Sequence, residues 1–415
     1  MKGLILVGAC YLDTILTSVL TLKMPRLACS VPQFPEEDSK LRATALQVRR
    51  GGNCPNTAEV LQQLLSSKNV TAVTPPLSQQ QEQTQEERRR RLKLHLVSVL
   101  PRVGSSATKT IESSFEPPAA CSQSLSRVVT PDTRVDLCNC LYRDQHDEAA
   151  SSYIIRSEAT GSRTIVNYSA LPEMTTSEFV EIVHDIVRAR GNQDEFGGDC
   201  WWHFEGRIPE TTLQCIRYLR KVLPDSIVSV EVEKPGRLGL VELAAEADVV
   251  FYSKSWAESR GYTGPIACLR GEMINCKAAS LMFCTWGPQG AAALSMSRDD
   301  HDSEKQRSPV TGFKEYDCLP SEVSQTKTIT AVDTIGAGDT FLAGVLYDLL
   351  MTLPSPEVPG KGFRNRAFNR PRPSSDGTTA ANPTMCRKAT KDILRFAVGL
   401  ATKKVQIEGF AGLVP

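Results

Sequence analysis

Between residues 176 and 286 the chain repeats one pattern four times: an amphipathic stretch, then a short apolar run rich in β-branched and aromatic residues. Residues 176–190 have helical periodicity and precede CWWHFEG; 209–223 precede SIVSVEVE; 238–247 precede DVVFYS; 265–276 precede SLMFCTW. Apolar runs with almost no polar alternation are strands buried on both faces, and helices between such strands cover a parallel sheet from both sides. The pattern therefore predicts an α/β fold with a doubly wound, mostly parallel sheet. Ligands of such sheets bind beyond the carboxyl ends of the strands. The polar ends HFEGR, VEVEKP and CTWGPQG belong on that rim.

The N-terminal part adds GLILVGA, a continuous apolar strand, and RATALQV, which alternates like a half-buried one. NCPNTAEVLQQLL has helical spacing, NVTAV and LHLVSVL are strand-like, and SSYIIRS and SRTIVNY form a hairpin joined by EATG. At 415 residues, 41% of them hydrophobic, the chain can bury a sizeable core, and it reads as a single domain over 1–415. Three segments have compositions that cannot contribute to that core: the Gln-rich 74–93 with its four-arginine run, and the Ser-, Thr- and Pro-rich 105–132 and 353–386. They are expected to be disordered inserts, with the charge run a solvated face.

The remaining problem is TAVDTIGAGDTFLAGVLYDLL, residues 330–350, where Gly336, Ala337 and Gly338 lie between Asp333 and Asp339 at the mouth of an apolar helix. One reading is a turn with Asp339 as a helix cap. The other is an anion site: side-chain-free backbone lets N–H groups converge on a phosphate at the positive end of the helix. An acid in such a loop repels a phosphate unless it takes a proton from a nucleophile, which points to phosphoryl transfer.

Composition narrows the partners. Formal net charge is +1, from 48 Lys and Arg against 47 Asp and Glu, so no global field draws the chain to nucleic acid or to a membrane, and a small-molecule partner is expected. The thirteen cysteines are scattered, and the close pair Cys138 and Cys140 lacks a second pair or a nearby His at zinc spacing, so reduced thiols and a cytoplasmic location are expected. MKGLILVGACYLD is too short in its apolar run to span a bilayer and carries Asp13.

With these segments in view, DTIGAGDTFLAG resembles the C-terminal motif of the pfkB-type, ribokinase-like carbohydrate kinases, and RRGGNCPNTA resembles their N-terminal di-glycine motif, in the family's order. LVGACYLD, EEDSKLRA, SRTIVNYS, HFEGR, VEVEKP, FYSK, CTWGPQGA and EGFAGLV are similar to the ketohexokinase branch of that family. The resemblance covers nearly the whole chain outside the three inserts.

The resemblance implies a reaction and a set of roles. Asp339 would be the general base and Gly336, Ala337 and Gly338 the anion hole as the γ-phosphate of ATP passes to a primary sugar hydroxyl. Asp13, Gly52, Asn53 and Asn56 would hold the sugar, with a carboxylate accepting hydroxyl protons and the amides both donating and accepting. Arg163, Gly287 and Gly290 would serve ATP, Arg163 by spreading phosphate charge. Two departures stand out: Pro288 replaces an acid of the nucleotide loop, and YSKSWAE does not supply the family's Asn-x-x-Glu element for magnesium. Glu231 and Glu233 are the candidates to hold Mg2+ through water, and potassium is an activator in the family.

A small β lid is expected from residues 13–48 and 135–168, closing over the sugar to keep water from the phosphoryl group, with the chain a monomer or a homodimer through that lid. The acceptor expected from the resemblance is D-fructose, giving fructose 1-phosphate. Ribose or another family substrate is the alternative, and a non-catalytic kinase-like scaffold is the second.

Overall fold

The computed structural model describes residues 3–18, 38, 42–67, 86–87, 89, 92–116, 134–157, 163–188, 200–276, 281–297, 312–323, 329–352 and 384–414, the side chains of 18, 156–157, 312 and 384–389 excepted. NVTAV, the EATG turn, 117–132 and 353–383 lie outside the described residues.

The strands are β1 Gly3–Val7, β2 Tyr11–Ser18, β3 Ala45–Gly51, β4 Lys93–Val97, β5 Val99–Pro101, β6 Val135–Asp136, β7 Leu141–Arg143, β8 Ala150–Ser157, β9 Arg163–Tyr168, β10 Cys200–Phe204, β11 Ile227–Val232, β12 Val249–Tyr252, β13 Leu281–Thr285, β14 Ala291–Ser297 and β15 Gly312–Cys318. The helices are α1 Asn53–Ser66, α2 Ser106–Ser113, α3 Thr176–Arg188, α4 Pro209–Val222, α5 Leu240–Glu246, α6 Lys254–Ser259, α7 Pro265–Glu272, α8 Pro320–Val323, α9 Ala337–Thr352 and α10 Thr384–Val405.

A nine-stranded sheet runs β15-β14-β13-β12-β11-β10-β1-β4-β6, parallel except where β14 and β15 join antiparallel at one edge. Alternation along each strand divides the core into two layers. Leu4, Leu6 and Trp201 face a layer shared with α1, α2, α9 and α10; Ile5, Val7, Trp202 and Phe204 face one built with α3, α4, α5, α6 and α7. The four helix–strand repeats of the sequence thus form the middle of the sheet, between β10 and β13. α9 is buried nearly all round. At Gly344 a Cβ would come within 2.9 Å of the Ala397 Cα, so the glycine sets how closely α9 and α10 pack.

A second sheet, β3-β2-β8-β9, stands beside the first. Its β8–β9 pair is the expected hairpin, antiparallel from Ser151↔Tyr168 to Arg156↔Arg163. The register puts Asp13 between Arg49 and Ser152 on one face, while Val48, Thr14, Tyr153 and Val166 line the other.

Several expectations need correction. Residues 135–149, expected in the lid, do not belong to this small sheet: β6 extends the main sheet beside β4 and β7 pairs with β5, so the second piece of the small sheet begins at Ala150. The segment 105–132 does not begin as a disordered insert. Ser105 caps α2 by accepting from the Thr108 N–H at 3.0 Å, and Ala107, Thr108, Ile111 and Phe115 are buried; a helix of two turns needs only one apolar stripe, which a Ser/Thr-rich composition hides. The arginine run is not wholly solvated either. Arg89 is buried, donates to the Ser67 carbonyl at 3.1 Å and lies over the Tyr347 ring, because a guanidinium stacks on aromatic carbon while its edge still bonds. Lys93 opens β4, and Thr384, placed in the third insert, opens α10.

Candidate active site

The site lies where the carboxyl ends of β1, β10 and β11 meet the N-termini of α1 and α9. Two glycines shape its floor. A Cβ on Gly51 would fall 2.2 Å from the Asp13 Oδ2, and one on Gly52, at φ 104°, 2.2 Å from the Ala9 carbonyl oxygen. The di-glycine is therefore what lets the Asp13 carboxylate and the first strand approach the start of α1. Asp13 is buried, and burial raises its pKa against the opposing effects of Ser152, Arg49, Arg50 and Arg163.

α1 then presents two amides on neighbouring turns. The Asn53 Nδ2 donates to the Glu231 Oε2 and the Glu233 Oε2, each at 2.8 Å. The Asn56 Oδ1 accepts from the Arg50 Nη1 at 3.0 Å, and its Nδ2 donates to the Asp339 Oδ2 at 2.7 Å. Arg50 also pairs with Glu59 and donates to the Ser114 Oγ, so Asn56 is locked in one orientation. Asn53 and Asn56 therefore organise carboxylates as well as lining the site.

Asp339 lies in the first turn of α9, where backbone N–H groups have no partner within the helix. Gly336, at φ 79°, leaves no room for a side chain because the Phe410 ring would be 2.3 Å from its Cβ. Gly338 is different: a Cβ there would meet nothing within 4 Å, so packing does not demand the glycine, and its absence of side chain leaves open space at the helix mouth. The loop is anchored by Asp333. Its Oδ2 accepts from the Arg49 Nη1 at 3.0 Å, the buried Lys404 Nζ at 3.2 Å and the Gly409 N–H at 3.1 Å; its Oδ1 accepts from the Ile335 N–H at 2.9 Å. Burial alone would raise this carboxyl, but Arg49 and Lys404 hold it at about 2.

The electrostatics are those of crowded acids. Burial, with the charges of Glu231, Glu233 and Glu205, raises the Asp339 carboxyl well above the ordinary range, against the Asn56 hydrogen bond. Burial and Glu233 lift Glu231 to about 8; burial and Glu231 lift Glu205, which accepts the Ala9 N–H at 2.9 Å, to about 7. His203 is fully buried between the Ser229 Oγ at 2.9 Å and the Glu231 Oε1 at 3.1 Å, and burial lowers it to about 3. Cys54 offers a ligand atom within 4.8 Å of those of His203 and Glu231, which on paper suggests a thiol nucleophile. Burial and the surrounding acids raise that thiol well above its ordinary value, and His203 is neutral and committed to its neighbours, so no thiolate forms. A crowded set of carboxylates can do two things: accept a proton when one of them is Asp339, and hold a cation.

The remaining expected residues are placed as follows. Arg163 projects from β9 and donates to the Thr334 Oγ1 at 3.0 Å, tying the small sheet to the glycine loop. Gly287 opens a single 3-10 turn after β13 and Gly290 follows it, on the same rim two strands from Glu231; a Cβ on Gly290 would be 2.0 Å from the Cys318 carbonyl oxygen. Residues the sequence reading missed are Glu205, Arg49, Asp333 as an anchor, and Lys404. Glu205 stands in HFEGR, already assigned to the rim, and Arg49 directly precedes the di-glycine; nothing in the sequence pointed to Lys404.

No family model matches the chain. It is 27% identical to mouse ketohexokinase over 287 residues, 68% of this chain and 73% of that protein. Its fold matches Giardia lamblia ribokinase with a TM-score of 0.62 at 13% identity, covering 100% of this chain and 96% of the other. Arabidopsis thaliana ribokinase complexed with ribose and ATP matches with a TM-score of 0.55 at 15% identity, covering 100% and 96%. The low structural identities speak for the fold alone. Together with the ketohexokinase similarity, and with two glycine motifs set on either side of one carboxylate cluster, the fold makes the chain similar to the ribokinase-like, pfkB-type carbohydrate kinases.

Proposed function

We propose that the chain transfers the γ-phosphate of ATP to a primary hydroxyl of a ketose, with D-fructose going to fructose 1-phosphate. The carrying observation is the conjunction at α9: an open helix mouth at Gly338 and, one residue on, a half-buried carboxylate oriented by Asn56. The raised pKa of Asp339 suits a group that must take a proton from an alcohol, since a stronger base in a water-poor site accepts it more readily. The backbone N–H groups of the α9 N-terminus would face the transferred phosphoryl group, aimed at oxygens whose charge shifts in the transition state. Asp13, Asn53, Asn56 and Gly52 form the polar sugar side.

Arg163 would hold the phosphate chain from the lid side, and its present bond to Thr334 keeps it at the loop. Gly287 and Gly290 would shape the adenosine end. Glu231 and Glu233 fit a magnesium ion: they are adjacent carboxylates pinned by one amide, and their mutual repulsion is the feature a cation relieves. Bound there, the ion would supply positive charge to the phosphates. Potassium activation, which occurs in the family, is carried by the resemblance alone.

The exposed face of the lid sheet supports a homodimer through the lid. Leu46, Val48, Tyr153, Val166 and Tyr168 are all at least half exposed, and the aligned ones share the face turned away from Asp13. Light scattering tests the dimer.

Purified chain with magnesium ATP and equal fructose, ribose, tagatose and adenosine tests the reaction, with ADP release and product NMR as readouts. The reading requires sugar-dependent ADP release and phosphate on C1 of fructose. Product mainly on ribose would transfer the proposal to the ribokinase alternative. Sugar binding without ADP release would support the non-catalytic scaffold.

A further inference from the structure

Outside the kinase site, the far edge of the main sheet gathers three chemically different metal ligands. His95 projects from β4, Asp136 ends the edge strand β6, and Cys138 follows in the LCNC turn. One ligand atom from each lies within 4.8 Å of the others. His95 lies 41 and 43 positions before Asp136 and Cys138, which is why no spacing pattern announced the set; it is the β4–β6 pairing, His95 opposite Asp136, that brings them together.

We propose that His95, Asp136 and Cys138 form a zinc site that pins the edge strand β6 to the main sheet. The imidazole Nδ1 and the Asp136 Oδ2 are 3.3 Å apart. Two donors each about 2.0–2.2 Å from a tetrahedral ion stand about 3.3–3.5 Å from one another, so this pair already has the separation of two ligands on one ion. The carboxylate is positioned by its other oxygen, which accepts the Cys138 backbone N–H at 2.8 Å and so leaves Oδ2 turned to His95. An outer hydrogen bond of that kind fixes a ligand's orientation. The donor set of imidazole, carboxylate and thiol suits a borderline divalent ion of the zinc class rather than magnesium or calcium, which take oxygen. His95 is buried and Cys138 exposed, so the ion would have an entry path and an open fourth position for water. Cys140 is excluded from the set, because its thiol is buried and donates to the Leu96 carbonyl at 3.3 Å.

Burial and a hydrogen bond to Asp136 raise the Cys138 thiol, so its proton opposes the ion and must leave as zinc binds. Zinc binding displaces the thiol proton to solvent, the usual route by which metal affinity becomes dependent on pH.

The test uses the full chain, stripped with a chelator and titrated with Zn2+ against a chromophoric competitor, and separately with Co2+, whose thiolate charge-transfer absorption reports sulfur coordination. The proposal expects one zinc per chain at this site, a raised melting temperature, and a Co2+–thiolate band. Cys138→Ser should abolish that band and weaken zinc binding about 100-fold or more, since even outer-shell changes cost about 10–100-fold. Cys138 is exposed, so the variant should fold, which circular dichroism checks. Asp136→Asn should weaken binding while keeping the band, and Cys140→Ser and Cys54→Ser should leave both unchanged. No thiolate band in the wild type, or a band and zinc affinity that survive Cys138→Ser, would overturn the proposal.

Discussion

Asp333→Asn isolates the device that holds the glycine loop in place. Asparagine keeps the shape and can still accept the Ile335 N–H through its Oδ1, but it removes the charge that faces Arg49 and the fully buried Lys404. Two routes give the magnitude. Asp333 is held at about 2 against an ordinary 3.8, and at about 1.4 kcal/mol per pKa unit this contributes roughly 2–3 kcal/mol of stability near pH 7. Removing one partner of a buried ion pair costs about 3–5 kcal/mol, because the remaining charge is left without compensation; here the Lys404 Nζ keeps the Asp333 carbonyl at 3.0 Å, which favours the lower end. A loss of about 3 kcal/mol follows, or about 1 M in the urea midpoint for a slope near 3 kcal/mol/M. A depressed carboxyl contributes its stability above its unfolded pKa and loses it as pH falls through the folded value. The difference between wild type and variant should therefore be full at pH 7 and shrink between about pH 4 and pH 2. Adding Lys404→Met should recover at least about 1 kcal/mol of the loss. A single variant within about 1 kcal/mol of wild type at pH 7, or full additivity in the double variant, would refute the anchor.

On the proposed function, Asp339→Asn should lower kcat by about 10²–10⁴-fold or more while calorimetry finds sugar and ATP affinities within a few-fold, because shape and helix position survive and the proposed base does not. Gly338→Ala should raise stability by up to about 1 kcal/mol, since alanine is the better helix former and its Cβ meets nothing, yet lower kcat by about 10²–10³-fold by filling the helix mouth. Denaturation of the ligand-free chain between pH 5 and 8.5 should show stability falling as pH rises: Glu205 and Glu231 keep their protons to about 7 and about 8 when folded but release them near 4.5 when unfolded. Glu205→Gln, whose Oε1 can still accept the Ala9 N–H, should flatten that slope and add about 1–3 kcal/mol at pH 8 with no gain at pH 4.5; a slope that is flat or rising in wild type would contradict the carboxylate crowding.

The parallel middle of the sheet was legible because its signal is local: each strand is a short apolar run, and each helix carries its own period. The antiparallel edge was not. β14 follows β13 after a single tight turn, and β15 carries Lys314, Glu315 and Asp317, so neither offers a buried strand's composition. α2 was hidden for the opposite reason, as a helix whose Ser and Thr residues serve as cap and surface around one buried stripe. At the site, Asp339, Asn53 and Asn56 were legible because glycine motifs frame them. Lys404 was not, because its importance is created by the fold: 71 residues separate it from Asp333, and a lysine late in a helix ordinarily reads as a solvated end.

The same reasoning explains why a site proposed to handle phosphate should hold so many acids. Glu205, Glu231, Glu233 and Asp339 surround the amides of Asn53 and Asn56, and the free protein relieves their repulsion by keeping protons. A cation beside Glu231 and Glu233 would replace that relief, lower the neighbouring pKa values and release protons as it binds. Asp339 would then shift toward its ionised form when the ion is in place. On the proposed function, the clustered carboxylates therefore couple the readiness of the base to the presence of the cation that accompanies the phosphoryl donor.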